Sequence, residues 1–298
     1  MTHAHPAPAR RTRKAPKARR GGPGTPLGAK GITARVLGTL GVLVFVTPFL
    51  YAVSTSLRPA RDVALDPVAL PTRITFENFT RVFSQIEYAR SLLNTLLITG
   101  GTCVVVVLLG AMAGYALGRS LRRWSVWTYR AFMAGLSVPF FVIIAPLYLL
   151  MRDLGLLGSM AGVILIYAAG NLPIAVFFYT SFVRSIPDEL DEAAQLDGAG
   201  RLRTFVSIYL PLLGPVTATL LLFVTLTVWN DLIVPLVFLQ DASQRTIMVN
   251  AYALLDPKIA QPTDLFPAAL LGILPLLVLF VFFQRRMVEG MSGGAVKG

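Results

Sequence analysis

The stretch RSIPDELDEAAQLDGAGRLR, residues 184–203, running on into TFVSIYLPLLGP, residues 204–215, decides how this chain folds. It is a charged island between two long runs, 154–183 and 204–230, that contain no Asp, Glu, Lys or Arg. Within the island Ser185 offers an N-cap and Pro187 suits a first helical turn. Asp188, Glu189, Asp191 and Glu192 place negative charge at the positive end of the helix dipole. Gly198, after Asp197, is a natural stop, because glycine takes the left-handed conformation without a Cβ clash. A second helix then starts near Arg201 and becomes apolar at residues 209–211. The spacing predicts helix, glycine turn and helix, joining two membrane spans on one side of a bilayer.

Outward from the island, further uncharged runs cover 36–57, 91–118, 131–151 and 265–284, which makes six. Each can cross a hydrocarbon core of about 30 Å as a helix of roughly 20 residues. Helix is the conformation that satisfies backbone groups within one segment in lipid, and barrel strands would show a weaker, alternating pattern. The expectation is an all-α membrane protein with six transmembrane helices. The composition agrees, with 55% apolar and 14% charged residues, far from the roughly 25% charged of a soluble domain. Pro48, Pro139, Pro146, Pro173, Pro211, Pro215 and Pro275 lie inside the runs, so several helices should be kinked.

Of the 27 Lys and Arg, 19 fall on the side that carries both termini and the island, and eight on the other. The positive-inside rule then places both termini and residues 184–203 in the cytoplasm, with 58–90 and 240–264 on the trans side. Nine of these basic residues precede residue 36, in a stretch without Asp or Glu that is rich in Pro, Gly and Ala and too polar to fold alone. Residues 1–35 are read as a disordered, solvated cytoplasmic tail that enforces topology and touches anionic membrane lipid, not nucleic acid. The membrane-spanning body is expected over 36–298.

Histidine occurs only at His3 and His5, and Cys103 is the single cysteine. That composition leaves no disulfide framework, no multi-cysteine metal site and no histidine-based catalysis in the body. GAKG, residues 28–31, lacks the Gly-Lys-hydroxyl order of a phosphate loop. No catalytic or metal-binding residue is therefore expected, nor any cofactor bound by this chain.

The island resembles the EAA loop of binding-protein-dependent ABC import permeases. Glu192, Ala193 and Ala194 are followed after three intervening residues by Gly198, and after nine more by Ile208, Leu210 and Pro211. Asp197, Ala199 and Pro215 fit the carbohydrate branch of that family. TVWNDLIVPL, 227–236, is similar to its fifth-helix WND segment, SLLNTLLITG, 91–100, to the start of its shared five-helix core, and GGAVKG, 293–298, to the end of MalG-type subunits. The resemblance implies a type I importer (MetI-like) permease fold with a core at about 91–284 and a coupling loop at 184–211. It implies that Glu192, Ala193, Ala194, Asp197, Gly198, Ile208, Leu210 and Pro211 couple this chain to an ATPase. It further implies a second, MalF-like permease, two cytoplasmic ATPase subunits that hold ATP and Mg, an extracytoplasmic sugar-binding protein, and a place in the cytoplasmic membrane of a prokaryote.

A sugar passage needs hydrogen-bonding groups and an aromatic face, which makes Trp229, Asn230, Asp231, Asn171 and Ser137 candidates. Asn230 and Asp231 could equally bond between helices or cap a break before Pro235. Cys103, Asn94 and Thr95 are expected to pack. The same architecture could import a polyamine or phosphate, and an ion-coupled carrier is the remaining transport class.

Overall fold

The computed structural model describes residues 29–120, 122–256 and 260–295, without the side chains of 29–32, 34 and 282–295. The expectations for the tail through residue 28, for Lys258 and for the last three residues of GGAVKG fall outside that set. Every regular element among the described residues is a helix. The chain forms two compact units, residues 1–49 and 50–298. The described part of the first belongs to helix α1 (Ala29–Ser56), apolar enough from Arg35 onward to cross a membrane.

In the second unit the centre is the pair α4 (Tyr88–Gly118) and α7 (Met160–Ser185). Gly110, Gly114 and Gly118 recur every four residues on α4, and each meets α7 at close range. A Cβ on Gly110 would come within 2.8 Å of the Ala175 methyl, one on Gly114 would overlap the Tyr179 side chain, and one on Gly118 would press on Val183. Small residues at this spacing let membrane helices approach closely enough for dispersion to hold them, since lipid supplies no hydrophobic drive between helices. Tyr179 is fully buried there, its hydroxyl 2.9 Å from Thr217 Oγ1 on α11 (Gly214–Trp229). Cys103 Sγ lies 3.7 Å from Thr225 Oγ1 on the same helix.

A second cluster joins α3 (Glu77–Gln85), α11, α13 (Ile247–Ala253) and α14 (Pro262–Ala295) through Val82, Ile86, Trp229, Ile247 and Ala268. Asn94 donates to the carbonyls of Ser243 and Arg245, and Thr95 Oγ1 accepts from Ile247 N–H, so both join structural elements. Arg58, one of the loop cations of the sequence count, is buried. Its guanidinium donates to the carbonyls of Asp62, Asp66 and Pro67 and closes the end of α2 (Ala60–Leu65).

Four helices are long and apolar enough to cross a membrane, namely α1 from Arg35, α4, α7 and α14 to Val281, and two bent pairs bring the total to six if each is one span. The third predicted span is the first pair. α5 (Arg123–Gly135) and α6 (Phe140–Asp153) meet at 102° across residues 136–139. Pro139 has no N–H to continue the ladder and drives its predecessor away from helical geometry. The fifth is the second pair, with 71° between residues 201–212 and α11, and Leu213 lies between Pro211 and Pro215. Proline was expected to kink these runs, and it breaks them. The fourth predicted run opens at 154, yet α7 starts only at Met160. Gly155 (φ 68°) and Gly158 (φ 80°) turn the chain first, and Ser159 caps α7 by accepting the Gly162 N–H at 3.0 Å.

Candidate functional site

The island of the sequence is an ordered hairpin of short helices at one end of the α4–α7 pair. α7 stops at Ser185, whose hydroxyl donates to the Phe182 carbonyl at 2.7 Å and therefore does not cap the next helix as expected. Pro187 follows Ile186, which is extended, and precedes the helix instead of joining its first turn; α8 (Glu189–Leu196) has Asp188 at its N-cap position and Glu189, Asp191 and Glu192 in its first turn. At the other end, the Gly198 N–H bonds the Gln195 carbonyl at 3.0 Å and the Ala199 N–H bonds the Ala194 carbonyl at 2.9 Å. With Gly198 at φ 72°, this pair of bonds is a Schellman stop. Gly200 then leads into α9 (Arg201–Thr204), a single π-helical turn (Phe205–Tyr209) and α10 (Leu210–Leu212).

One side chain ties this hairpin to the bundle. Arg119, the first charged residue after 28 uncharged ones, sits at the end of α4 with its side chain 15% exposed. Its guanidinium pairs with Asp191 at 2.9 Å and with Asp188 at 2.5 Å, and donates to the Ile186 carbonyl at 2.8 Å and the Tyr209 hydroxyl at 2.6 Å. The Tyr209 hydroxyl donates in turn to Asp191 at 2.6 Å, and its ring lies 5.1 Å below the Arg119 guanidinium and 4.7 Å from Tyr115. The planar fork of Arg can reach the end of α7, the first turn of α8 and the π-helical turn together, which a point charge could not. Charge-assisted bonds of this kind are among the stronger ones. Arg119, Tyr209, Asp188 and Asp191 escaped the sequence reading as a group. The available signal was an Arg directly abutting a long uncharged run.

The expected coupling residues divide by face. Glu192, Ala193, Asp197 and Gly198 lie on the outer surface of the hairpin, with Leu196 beside them 90% exposed. Ala194 is buried within the chain at 4% exposure. Ile208 packs against the bundle core, and Leu210 and Pro211 lie exposed just before the bend at Leu213.

The five passage candidates differ in burial and in partners. Trp229 is buried and donates its indole N–H to the Gly272 carbonyl of α14 at 3.1 Å. Asp231 accepts from the Tyr167 hydroxyl at 2.9 Å and from the N–H groups of Ile233 and Val234, so it both bridges helices and opens α12 (Ile233–Phe238). Asn171 is buried and donates to the Tyr167 carbonyl at 2.8 Å. Asn230 is exposed at the end of α11, its amide on the Leu226 carbonyl at 2.9 Å, and Ser137 is exposed in the break between α5 and α6.

The bundle thus combines broken spans with an ordered charged hairpin at one end. The sequence pattern of the binding-protein-dependent transport system inner membrane component matches residues 106–292, more than half of the chain, and the chain belongs to that family. It is 32% identical over 274 residues to the melibiose/raffinose/stachyose import permease protein MelC of Bacillus subtilis, covering 91% of this chain and 99% of that one. Over 266 residues it is 32% identical to the multiple sugar-binding transport system permease protein MsmG of Streptococcus mutans, covering 88% and 95%. The fold is similar to a chain in the crystal structure of a bacterial ABC transporter that imports the acidic polysaccharide alginate, with TM-score 0.75, 25% identity, and 88% and 99% of the two chains covered. The family role is that of a transport permease subunit, not an enzyme, and such permeases act with a partner permease, an ATPase and a binding protein.

Proposed function

We propose that this chain is the permease of an ATP-driven importer for a sugar or oligosaccharide and that the hairpin around α8 is where ATPase movement enters the membrane. The observation that carries this reading is the rigid mounting of α8. It is closed by a Schellman stop at one end and held at the other by Arg119, itself fixed to the end of α4. A force on α8 is therefore transmitted to α4, α7 and the fifth span without being absorbed by a slack loop. The cargo class is drawn from the sugar-importing relatives. In this arrangement both termini are cytoplasmic and the protein lies in the cytoplasmic membrane. It pairs with a MalF-like permease, two ATPase subunits that bind ATP and Mg, and an extracytoplasmic sugar-binding protein.

Glu192, Ala193 and Asp197 form the docking face, Ala194 lets α8 lie close on its own bundle, and Gly198 sets the angle between α8 and α9. Ile208, Leu210 and Pro211 carry the motion to the bend at Leu213. Asn230 and Ser137 face the sugar, each exposed at the end of a helix, while Trp229, Asp231 and Asn171 fix the walls. Polar groups at helix breaks in membrane proteins sit against protein or water, which suits a passage. The test is co-purification of the permease pair with the ATPase, together with sugar uptake in the same cells, for Gly198→Asp. Loss of ATPase and uptake with normal insertion supports the assignment, and full retention of both overturns it.

A further inference from the structure

Beside α8 the cytoplasmic end of the bundle holds an open cleft of 810 Å³. Its walls come from two separate parts of the chain. The end of α4 and the turn into α5 supply Tyr115, Arg122 and Trp124, and the hairpin supplies Gln195 and Arg201. The charged groups deepest in its wall are already engaged, Arg119 with Asp188 and Asp191, and Asp191 with Tyr209 as well. Arg122 and Arg201 are different. Both are exposed, and neither guanidinium makes a hydrogen bond or ion pair with another described residue. Trp124, 51% exposed, adds a flat apolar wall.

We propose that this cleft is a second contact for the ATPase subunit, which inserts an acidic segment between Arg122 and Arg201. The inference rests on the reading of α8 as the ATPase contact and gives that contact a second half. Two observations choose the ATPase over other anionic partners. Leu196, 90% exposed, and Leu202, 73% exposed, lie on the hairpin whose Gln195 and Arg201 line the cleft, so a body that buries those leucines must also approach its mouth. The outer face of α8 is acidic, with Glu189, Glu192 and Asp197, whereas the cleft is basic. The partner must therefore present basic groups to the helix and carboxylates to the cleft, and this alternation fixes its rotation about α8. Opposed charges in such an order reject a misrotated docking by like-charge contact.

The experiment uses the full complex in membranes, with a photo-crosslinking amino acid placed singly at Leu196 and at Trp124 and the captured peptide identified by mass spectrometry. Capture of the ATPase at both positions, through a peptide containing Asp or Glu at Trp124, is the expected result. Alongside it, Arg122→Glu with Arg201→Glu is expected to weaken ATPase co-purification about tenfold at physiological salt, while the Lys pair at the same positions keeps it. If Leu196 captures the ATPase but Trp124 captures lipid, nothing, or an ATPase peptide without a carboxylate, the cleft assignment is overturned and the α8 reading stands. If Leu196 fails to capture the ATPase, the reading beneath it falls. Undiminished co-purification of the double Glu variant also overturns the cleft assignment.

Discussion

Arg119→Ala removes the group that ties α4 to both halves of the coupling hairpin. The pair with Asp188 adds little, since that carboxylate is 84% exposed and screened by water. The pair with Asp191, 22% exposed, is the larger loss. Removing one partner of a fully buried pair costs about 3–5 kcal/mol, and partial exposure lowers this to about 2–3 kcal/mol here. The Ile186 carbonyl also loses a charge-assisted bond, worth about 1.5–3 kcal/mol where water cannot replace it. The bonds share one side chain and the open cleft admits water, so the terms do not add, and a net loosening of about 3 kcal/mol is the expectation. At about 1.4 kcal/mol per factor of ten, the detached hairpin becomes roughly 100-fold more populated. The assay is thiol labelling of Ala194→Cys in a Cys103→Ser background, because position 194 is buried while the hairpin is docked. Labelling should accelerate about 100-fold with Arg119→Ala and by an intermediate factor with Arg119→Lys, which keeps the charge without the fork. Unchanged labelling together with unchanged uptake would refute the clamp.

Gly198→Ala should weaken the hairpin by about 1 kcal/mol, since a Cβ at φ 72° is strained even in open space, and a lowered ATPase co-purification checks it. Gly114→Leu should abolish folding of the bundle, because the added side chain must overlap Tyr179, and loss of a monodisperse detergent-solubilised protein is the readout. Asn230→Ala should alter uptake or sugar preference while assembly and basal ATP hydrolysis stay intact; collapse of assembly would show that Asn230 is a structural group instead. Among the described residues Tyr167→Phe leaves Asp231 with its two backbone donors, and it should lower thermal stability by about 1–2 kcal/mol, read as an earlier unfolding transition in detergent.

The helix, glycine turn and helix of residues 184–203 were legible because each signal is local. A first turn crowded with carboxylates and a Gly after Asp197 do not depend on distant residues. The broken third and fifth spans were half legible. Pro139, Pro211 and Pro215 announced a disturbance, but whether proline kinks a membrane helix or ends it depends on neighbouring groups, which the sequence does not order in space. Of the Arg119 clamp only the position of Arg119 at the end of an uncharged run was legible. Its partners lie about 70 and 90 positions away, and a charge count treats Arg119 like the exposed Arg122 three residues on. The burial of Ala194 was hidden for the same reason, since the face of α8 that meets the bundle depends on residues distant in sequence. Trp229 and Asp231 show the converse limit. Polar and aromatic groups late in a span read as passage lining, and only their donors and acceptors reveal how far they are engaged within the fold.

The central claim is that this chain moves its cargo by energy received at the α8 hairpin. It is tested most directly by sugar uptake into proteoliposomes carrying the complete complex, with ATP supplied on the side of the hairpin and no ion gradient. The account predicts uptake that requires ATP, the ATPase and the binding protein together, and that stops with Gly198→Asp. Uptake by the permeases alone, driven by an ion gradient in the absence of ATP, would contradict it.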